Sequence, residues 1–228
     1  MKTAPELPRL FLALALLSPA VAAAQGASPE INRPFLVNPD VERWSKSLEG
    51  ESREVYAKRN EILAATGVKP GMAVADVGSG SGLFTRLFAQ AVGPGGRVYA
   101  VDISRELLEH VVRTAKKEGL DNVTAVLDTA TDVKLPESSV DLVYVCDTYH
   151  HFEQPGPVLA SIRKALRAGG RMVVIDFERI PGVTPQQRFQ HVRADKQTAI
   201  KEIEAAGFRF VEEKKLMREN YFVVFERP

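Results

Sequence analysis

From residue 68 onward the chain alternates short apolar runs with amphipathic stretches, and this rhythm most narrowly limits the fold. The runs "MAVADV", "DLVYVC" and "MVVIDF" are nearly continuous in apolar residues, as strands buried on both faces of a parallel sheet require. Strands are predicted over 72–77, 97–102, 123–127, 141–146, 171–177, 208–213 and 221–226, with helices over 83–92, 104–118, 156–167 and 186–206. Turn residues punctuate the pattern, "GPGG" before the second strand and "RAGG" before the fifth. Strand alternating with helix implies an α/β protein with a doubly wound, mostly parallel seven-stranded sheet and ligands at its carboxyl edge. The ending "FRFVEEKKLMRENYFVVFERP" breaks the rhythm, giving two strands with no helix between them and therefore an antiparallel C-terminal strand.

Ahead of this unit the chain divides into a leader over 1–24 and a lead-in with a helical cap over 25–67; the main domain is 68–228. The leader has Lys2 and Arg9 before "LFLALALL" and small residues at Ala22 and Ala24, the pattern of a cleavable secretory signal. Export to the periplasm is the expectation, with a cytoplasmic location if the leader does not function. The apolar run is shorter than the roughly 20 residues of a spanning helix, so no stable membrane insertion is expected after cleavage. Residues 25–37 read as extended. A helix follows with Asn38 as cap and Pro39 just inside it, then a second over "ESREVYAKRNEILAAT". Arg53, Tyr56 and Arg59 share a face of that second helix. Lys and Arg number 30 against 29 Asp and Glu, so no basic excess points to nucleic acid. Cys146 is the single cysteine, which excludes an internal disulfide and a cysteine zinc cluster; its place at a strand end reads as core.

The turn "VADVGSGSGLFTRLF" carries Gly78, Gly80 and Gly82 between a strand and a helix. Glycines belong where backbone must lie against a ligand without a Cβ in the way. A dinucleotide fingerprint needs glycine at 83, where Leu83 stands, and no Gly-Lys-Ser/Thr ends the turn as a phosphate loop would. A nucleoside without phosphate fits better, and S-adenosylmethionine is such a ligand. The second strand ends on Asp102, placed to accept the ribose hydroxyls that NAD and S-adenosylmethionine share. The closing hairpin separates the two, because a dinucleotide domain normally continues parallel.

The segments "GMAVADVGSGSGLFTRLFA", "GRVYAVDIS", "SVDLVYVCDTYHHF" and "IRKALRAGGRMVVIDFE" resemble, in order, the motifs of class I S-adenosylmethionine-dependent methyltransferases, and most nearly the small-molecule and quinone-type subgroup. The resemblance covers roughly residues 50–228 and implies a Rossmann-like methyltransferase fold and a small-molecule methyl acceptor. It further implies that Asp76, Gly78, Gly80 and Gly82 surround the methionine and ribose parts, with Asp102 on the ribose and Ile103 on the adenine. In "DTATDV" it makes Ala130, Thr131 and Asp132 candidates for adenine contacts, and it places Asp147 at the methionine end. Asp76 has an alternative reading as a partner of the glycine-loop amides, and Asp102 as a cap for the following helix.

"CDTYHHFEQP" sets His150 and His151 where the sulfonium is expected, and either is a candidate general base for an acceptor that loses a proton. Capping or loop hydrogen bonding is the plainer reading of each. Asp176 and Glu178 stand at the rim of the fifth strand. No metal is expected, because the four histidines do not fall at ligand spacing along the chain. The absence of an Asn-Pro-Pro-Tyr-type tetrad argues against amino methylation of DNA bases or glutamine. Two other functions are compatible with these residues. One is an exported, non-catalytic adenosine-binding protein; the other, weakened by Leu83 and the hairpin, is an NAD-dependent oxidoreductase.

Overall fold

The computed structural model describes residues 26–228. The leader over 1–24 lies outside them, and no described helix is long and apolar enough to cross a membrane. A seven-stranded sheet organises the chain: β1 (Ala73–Val77), β2 (Arg97–Asp102), β3 (Val123–Leu127), β4 (Val140–Cys146), β5 (Leu166–Phe177), β6 (Arg209–Glu213) and β7 (Asn220–Glu226). Its order is β3-β2-β1-β4-β5-β7-β6. The first five strands pair in parallel, and β7 enters antiparallel to both β5 and β6. The doubly wound sheet and the antiparallel closing strand are both as expected. Reversal of the crossover direction at β1 and β4 opens a crevice at their carboxyl ends.

The helices are α1 (Arg33–Leu36), α2 (Val41–Leu48), α3 (Glu54–Ala57), α4 (Arg59–Thr66), α5 (Leu83–Val92), α6 (Arg105–Lys117), α7 (Pro155–Ala165), α8 (Gln186–His191) and α9 (Lys196–Ala205). Strand side chains alternate between two cores. Val74, Tyr144, Val173, Ile175 and Phe222 pack with Ile62 of α4 and Phe88 of α5. Ala75, Val77, Val143, Val174 and Val223 pack with Leu159 and Ile162 of α7 and Ile203 of α9. The central strands are thus buried on both faces, which is why they read as unbroken apolar runs.

The boundaries that differ do so for local reasons. Residues 29–31 form a 3-10 turn and 33–36 a helical turn, where an extended lead-in is expected. Asn38 takes a left-handed φ of 47°, and Asp40 is the helix cap, accepting from Arg43 N at 3.0 Å. The second N-terminal helix breaks at Lys58 into α3 and α4. The predicted helix over 186–206 splits where Val192 extends and Asp195 begins α9 by accepting from Thr198 N at 2.8 Å. "RAGG" is an irregularity inside β5, with the pairing stepping from Val140–Leu166 to Leu142–Arg171. Gly169 supplies a φ of 72° there.

Candidate active site

A cavity of about 280 Å³ opens at the carboxyl ends of β1, β2 and β4. Its floor is the turn from Val77 to Leu83. Gly78, Gly80 and Gly82 all take left-handed φ values, 73°, 52° and 77°. A Cβ on Gly78 would lie 2.2 Å from Thr148 Oγ1, and one on Gly82 2.8 Å from Val111 Cγ2. Gly78 and Gly80 line the cavity, whereas Gly82 does not and instead starts α5 against α6. Gly78 is therefore required by packing while also facing the cavity, and Gly82 is required by packing alone. Four of the loop amides are already committed. Gly78 N and Ser79 N donate to Val101 O, Gly82 N to Ser79 O, and Gly80 N to Asp102 Oδ2 at 2.9 Å.

Three carboxylates surround this floor, one from the carboxyl end of each of β1, β2 and β3; Asp76 and Asp102 are buried and Asp128 is half-buried. Asp76 accepts from Thr85 Oγ1 at 2.6 Å, which replaces the expected loop-amide partner. Burial raises its pKa to about 7, and the charge of Asp102 adds to the shift. Asp102 holds both Gly80 N and Ser104 N at 2.9 Å, so it braces the glycine turn and the start of α6 while facing the cavity. Ser104, not Asp102, caps α6. Burial raises the Asp102 carboxyl despite these amides. Asp128 is pushed up to about 8 by burial first and Asp102 second. Its Oδ1 and the hydroxyl of Ser79 are buried without a hydrogen-bond partner among the described residues, and both residues line the cavity. Unpaired buried polar atoms are costly unless a ligand meets them.

The cavity-lining residues of the loop after β3 lie earlier than the candidates for adenine contacts. Asp128, Thr129 and Ala130 are on the wall with Ile103. Thr131 and Asp132 are not: Asp132 closes a small bridge with Thr129 and holds Lys134. The signal was present in the sequence, since Asp128 follows β3 much as Asp102 ends β2.

The opposite wall comes from the N-terminal segment and the loop after β4. Asn32, Phe35, Leu36, Leu48, Arg53 and Val55 all reach the cavity. Arg53 pairs with Asp147, whose other oxygen accepts from Asn220 Nδ2 at 2.6 Å. Asp147 lines the cavity with a φ of 48°, and its raised pKa reflects burial opposed by Arg53. Tyr56 and Arg59 stack on each other away from the wall. Cys146 reaches the cavity wall, contrary to a purely core placement, and burial holds its thiol well above the ordinary range.

His150 and His151 separate in role. His150 is buried; its Nδ1 lies 2.7 Å from Asp176 Oδ1 and its amide donates to Asp176 Oδ2 at 2.9 Å. Burial opposes its charge, but Asp176 raises its pKa. His151 lines the cavity, and its Nδ1 lies 3.0 Å from Asn32 Oδ1. Burial, then the neighbouring His150 and His191, lowers His151 to about 3. Glu178 is bound to Lys196 at 2.9 Å. The argument from histidine spacing fails here. The fold carries His191 from the end of α8 to His150 and His151, with one ring nitrogen of each within 4.8 Å of the others.

The model of a methyltransferase domain family matches residues 68–221. The ubiquinone/menaquinone biosynthesis C-methyltransferase UbiE of Burkholderia cenocepacia (strain HI2424) is 30% identical over 121 residues, 52% of this chain and 48% of that protein. The chain thus spans about half the length of the curated relatives it matches. Among solved structures, a SAM dependent methyltransferase from Aquifex aeolicus superposes with a TM-score of 0.75 at 24% identity, covering 83% of this chain and 99% of that one. The [4+2]-cyclase SpnF superposes at 0.66 with 13% identity over 76% of this chain and 81% of its own. At these identities the superpositions establish the fold.

Proposed function

The chain belongs to the methyltransferase-domain family, and on that premise we propose that it moves a methyl group from S-adenosylmethionine to a small, partly apolar acceptor. One observation carries the cofactor half of this reading: three carboxylates, the buried Asp76 and Asp102 and the half-buried Asp128, ring a cavity in which the amides of Gly78, Ser79, Gly80 and Gly82 are already donated within the protein. A pyrophosphate would meet anions and find those amides occupied. A cationic nucleoside with hydroxyl and amino donors meets the acceptors it needs, including the unpartnered Asp128 Oδ1. The residues therefore fit S-adenosylmethionine and do not fit NAD.

In this reading Asp102 accepts from the ribose, Asp128 from the adenine amine, and Asp76 faces the cationic end. S-adenosylmethionine supplies an electrophilic methyl group on sulfur. The protein's task is then largely positioning, holding the acceptor in line and excluding water. Phe35, Leu36, Leu48 and Phe152 form an apolar surface for the acceptor beside His151. The likeness to a C-methyltransferase of quinone synthesis supports a small aromatic acceptor. His151 is the one of the two expected bases that reaches the cavity; His150 and Asp176 stand behind it.

Calorimetric titration with S-adenosylmethionine, S-adenosylhomocysteine and NAD tests the reading. Binding of the first two with no NAD signal is the expected result. NAD binding, or no binding of either adenosyl compound, overturns it.

A further inference from the structure

Two segments far apart in the chain converge beside the acceptor wall. His150 and His151 lie in the 3-10 turn Tyr149–His151 after β4, and His191 is the last residue of α8. The ring centroids stand 4.3 Å apart for His150 and His151, 4.9 Å for His150 and His191, and 5.4 Å for His151 and His191. We propose that His150, His151 and His191 bind a divalent transition-metal cation of the zinc type.

The surroundings are those that orient imidazole ligands. A ligating histidine usually gives its second ring nitrogen to a carboxylate or carbonyl, which fixes the tautomer and the ring. Asp176 Oδ1 does this for His150 Nδ1, and Asn32 Oδ1 for His151 Nδ1. The Asn32 amide is itself held, because its Nδ2 donates to His151 O at 3.1 Å and to Glu153 Oε1 at 2.8 Å. Only its oxygen can therefore face the ring, and His151 carries its proton on Nδ1. The Nε2 atoms of His150 and His151 are left to ligate. Phe35 and Phe177 flank the pair at 5.6 and 5.8 Å and give the site an apolar shell.

Tetrahedral zinc with bonds of about 2.0–2.1 Å needs ligand nitrogens about 3.3 Å apart. The described nitrogens lie within 4.8 Å, so a small inward movement completes the set. His191 is the exposed member, on a six-residue helix, and is the ligand free to make it. Three imidazoles without a carboxylate select zinc, cobalt, nickel or copper over magnesium or calcium. Three protein ligands leave a fourth position open for water or an oxygen of the acceptor. That last step rests on the methyl-transfer reading; the metal site does not.

The test uses the full chain without a histidine tag, stripped with a chelator and titrated with Co(II) while its visible absorption is followed, then competed with Zn(II). One Co(II) per chain with the intense bands of a four-coordinate ion, displaced by Zn(II), is expected. His191→Ala lies outside both cores and should weaken Co(II) by more than the 10–100-fold typical of losing an outer-shell partner. Asp176→Asn should keep the spectrum and lose about 10–100-fold in affinity. A spectrum identical to the free aquo ion, or His191→Ala retaining wild-type affinity, overturns the proposal. S-adenosylhomocysteine titrated into His191→Ala reads the cofactor site separately and should bind as it does to the parent.

Discussion

The carboxylate wall of the cavity is drawn from one stretch, residues 76–130, whereas the facing wall collects Asn32, Phe35, Leu48, Arg53, Asp147 and His151 from separate parts of the chain. The first wall is rigid by construction: Asp102 fixes Gly80 and Ser104, and β1, β2 and β3 are adjacent in the sheet. The second is held by a few long-range polar contacts, Arg53 to Asp147 and Asn32 to His151 and Glu153. In the proposed function the contiguous wall serves the cofactor, and the wall assigned to the acceptor is assembled from elements that can vary independently.

The largest effect should come from the rigid wall. Asp102→Ala frees the Gly80 and Ser104 amides and, in the proposed function, removes the acceptor for two ribose hydroxyls. Hydrogen bonds to a charged group contribute about 1.5–3 kcal/mol each, so S-adenosylhomocysteine should bind roughly 100-fold more weakly or worse. Calorimetry reads this directly. An Asp102→Ala protein that binds like the parent would break the contrast between the walls.

Next is the long-range clamp. Arg53→Ala leaves the carboxylate of Asp147, 9% exposed, with Asn220 as its remaining side-chain partner. Breaking a buried ion pair costs about 3–5 kcal/mol, and because the Arg53 side chain is 25% exposed the expected loss is smaller, about 2 kcal/mol. Urea denaturation measures it. Asp147→Asn added to Arg53→Ala should recover most of the loss, since it removes the uncompensated charge.

The same division explains what the sequence disclosed. The glycine turn, Asp102 and the strand pattern were legible because each is a local signal with a local cause. The sheet's antiparallel closure followed from the missing helix between β6 and β7. Three features were not legible in this way. In the loop after β3 the sequence reading falls on Ala130, Thr131 and Asp132 instead of Asp128, because a loop without strict periodicity leaves its register open by a residue or two. His191 has no sequence relation to His150 and becomes its neighbour only through the path of β5 and α8. Asn32 belongs to a stretch that reads as extended, and its role depends on a contact 119 residues away.

A smaller, pH-dependent effect sharpens the electrostatic part of the comparison. Asp76 and Asp128 are raised to about 7 and about 8, above the 3.8 of a free aspartate. Folding therefore favours their protonated forms, and their contribution to the stability of the ligand-free protein falls as pH rises from about 4 towards these values. Binding a cation requires the ionised forms. Affinity for S-adenosylmethionine should then climb between about pH 6 and 9 and level off above, with protons released on binding. Titrations in buffers of different ionisation enthalpy count those protons. Asp128→Asn should flatten the upper part of the rise, and an unchanged slope in that variant would remove Asp128 from the linkage.

The smallest expected effect concerns a single residue of the loop after β3. Thr131 is half-buried and makes its contacts within the turn, its amide and hydroxyl facing Thr129 Oγ1 at 3.4 and 3.5 Å. It does not line the cavity, whereas Asp128, Thr129 and Ala130 do. If adenine recognition is centred on Asp128, Thr131→Ala changes only a solvated turn, and its effect should stay within about 0.5 kcal/mol in both stability and S-adenosylhomocysteine affinity. Asp128→Asn should by contrast weaken binding severalfold, because an amide presents one acceptor oxygen where the carboxylate presents two. Measured side by side at one pH, the pair fixes the register of the loop. A loss in Thr131→Ala as large as that in Asp128→Asn would mean that the loop moves on binding and that the contiguous wall is less rigid than its hydrogen bonds imply.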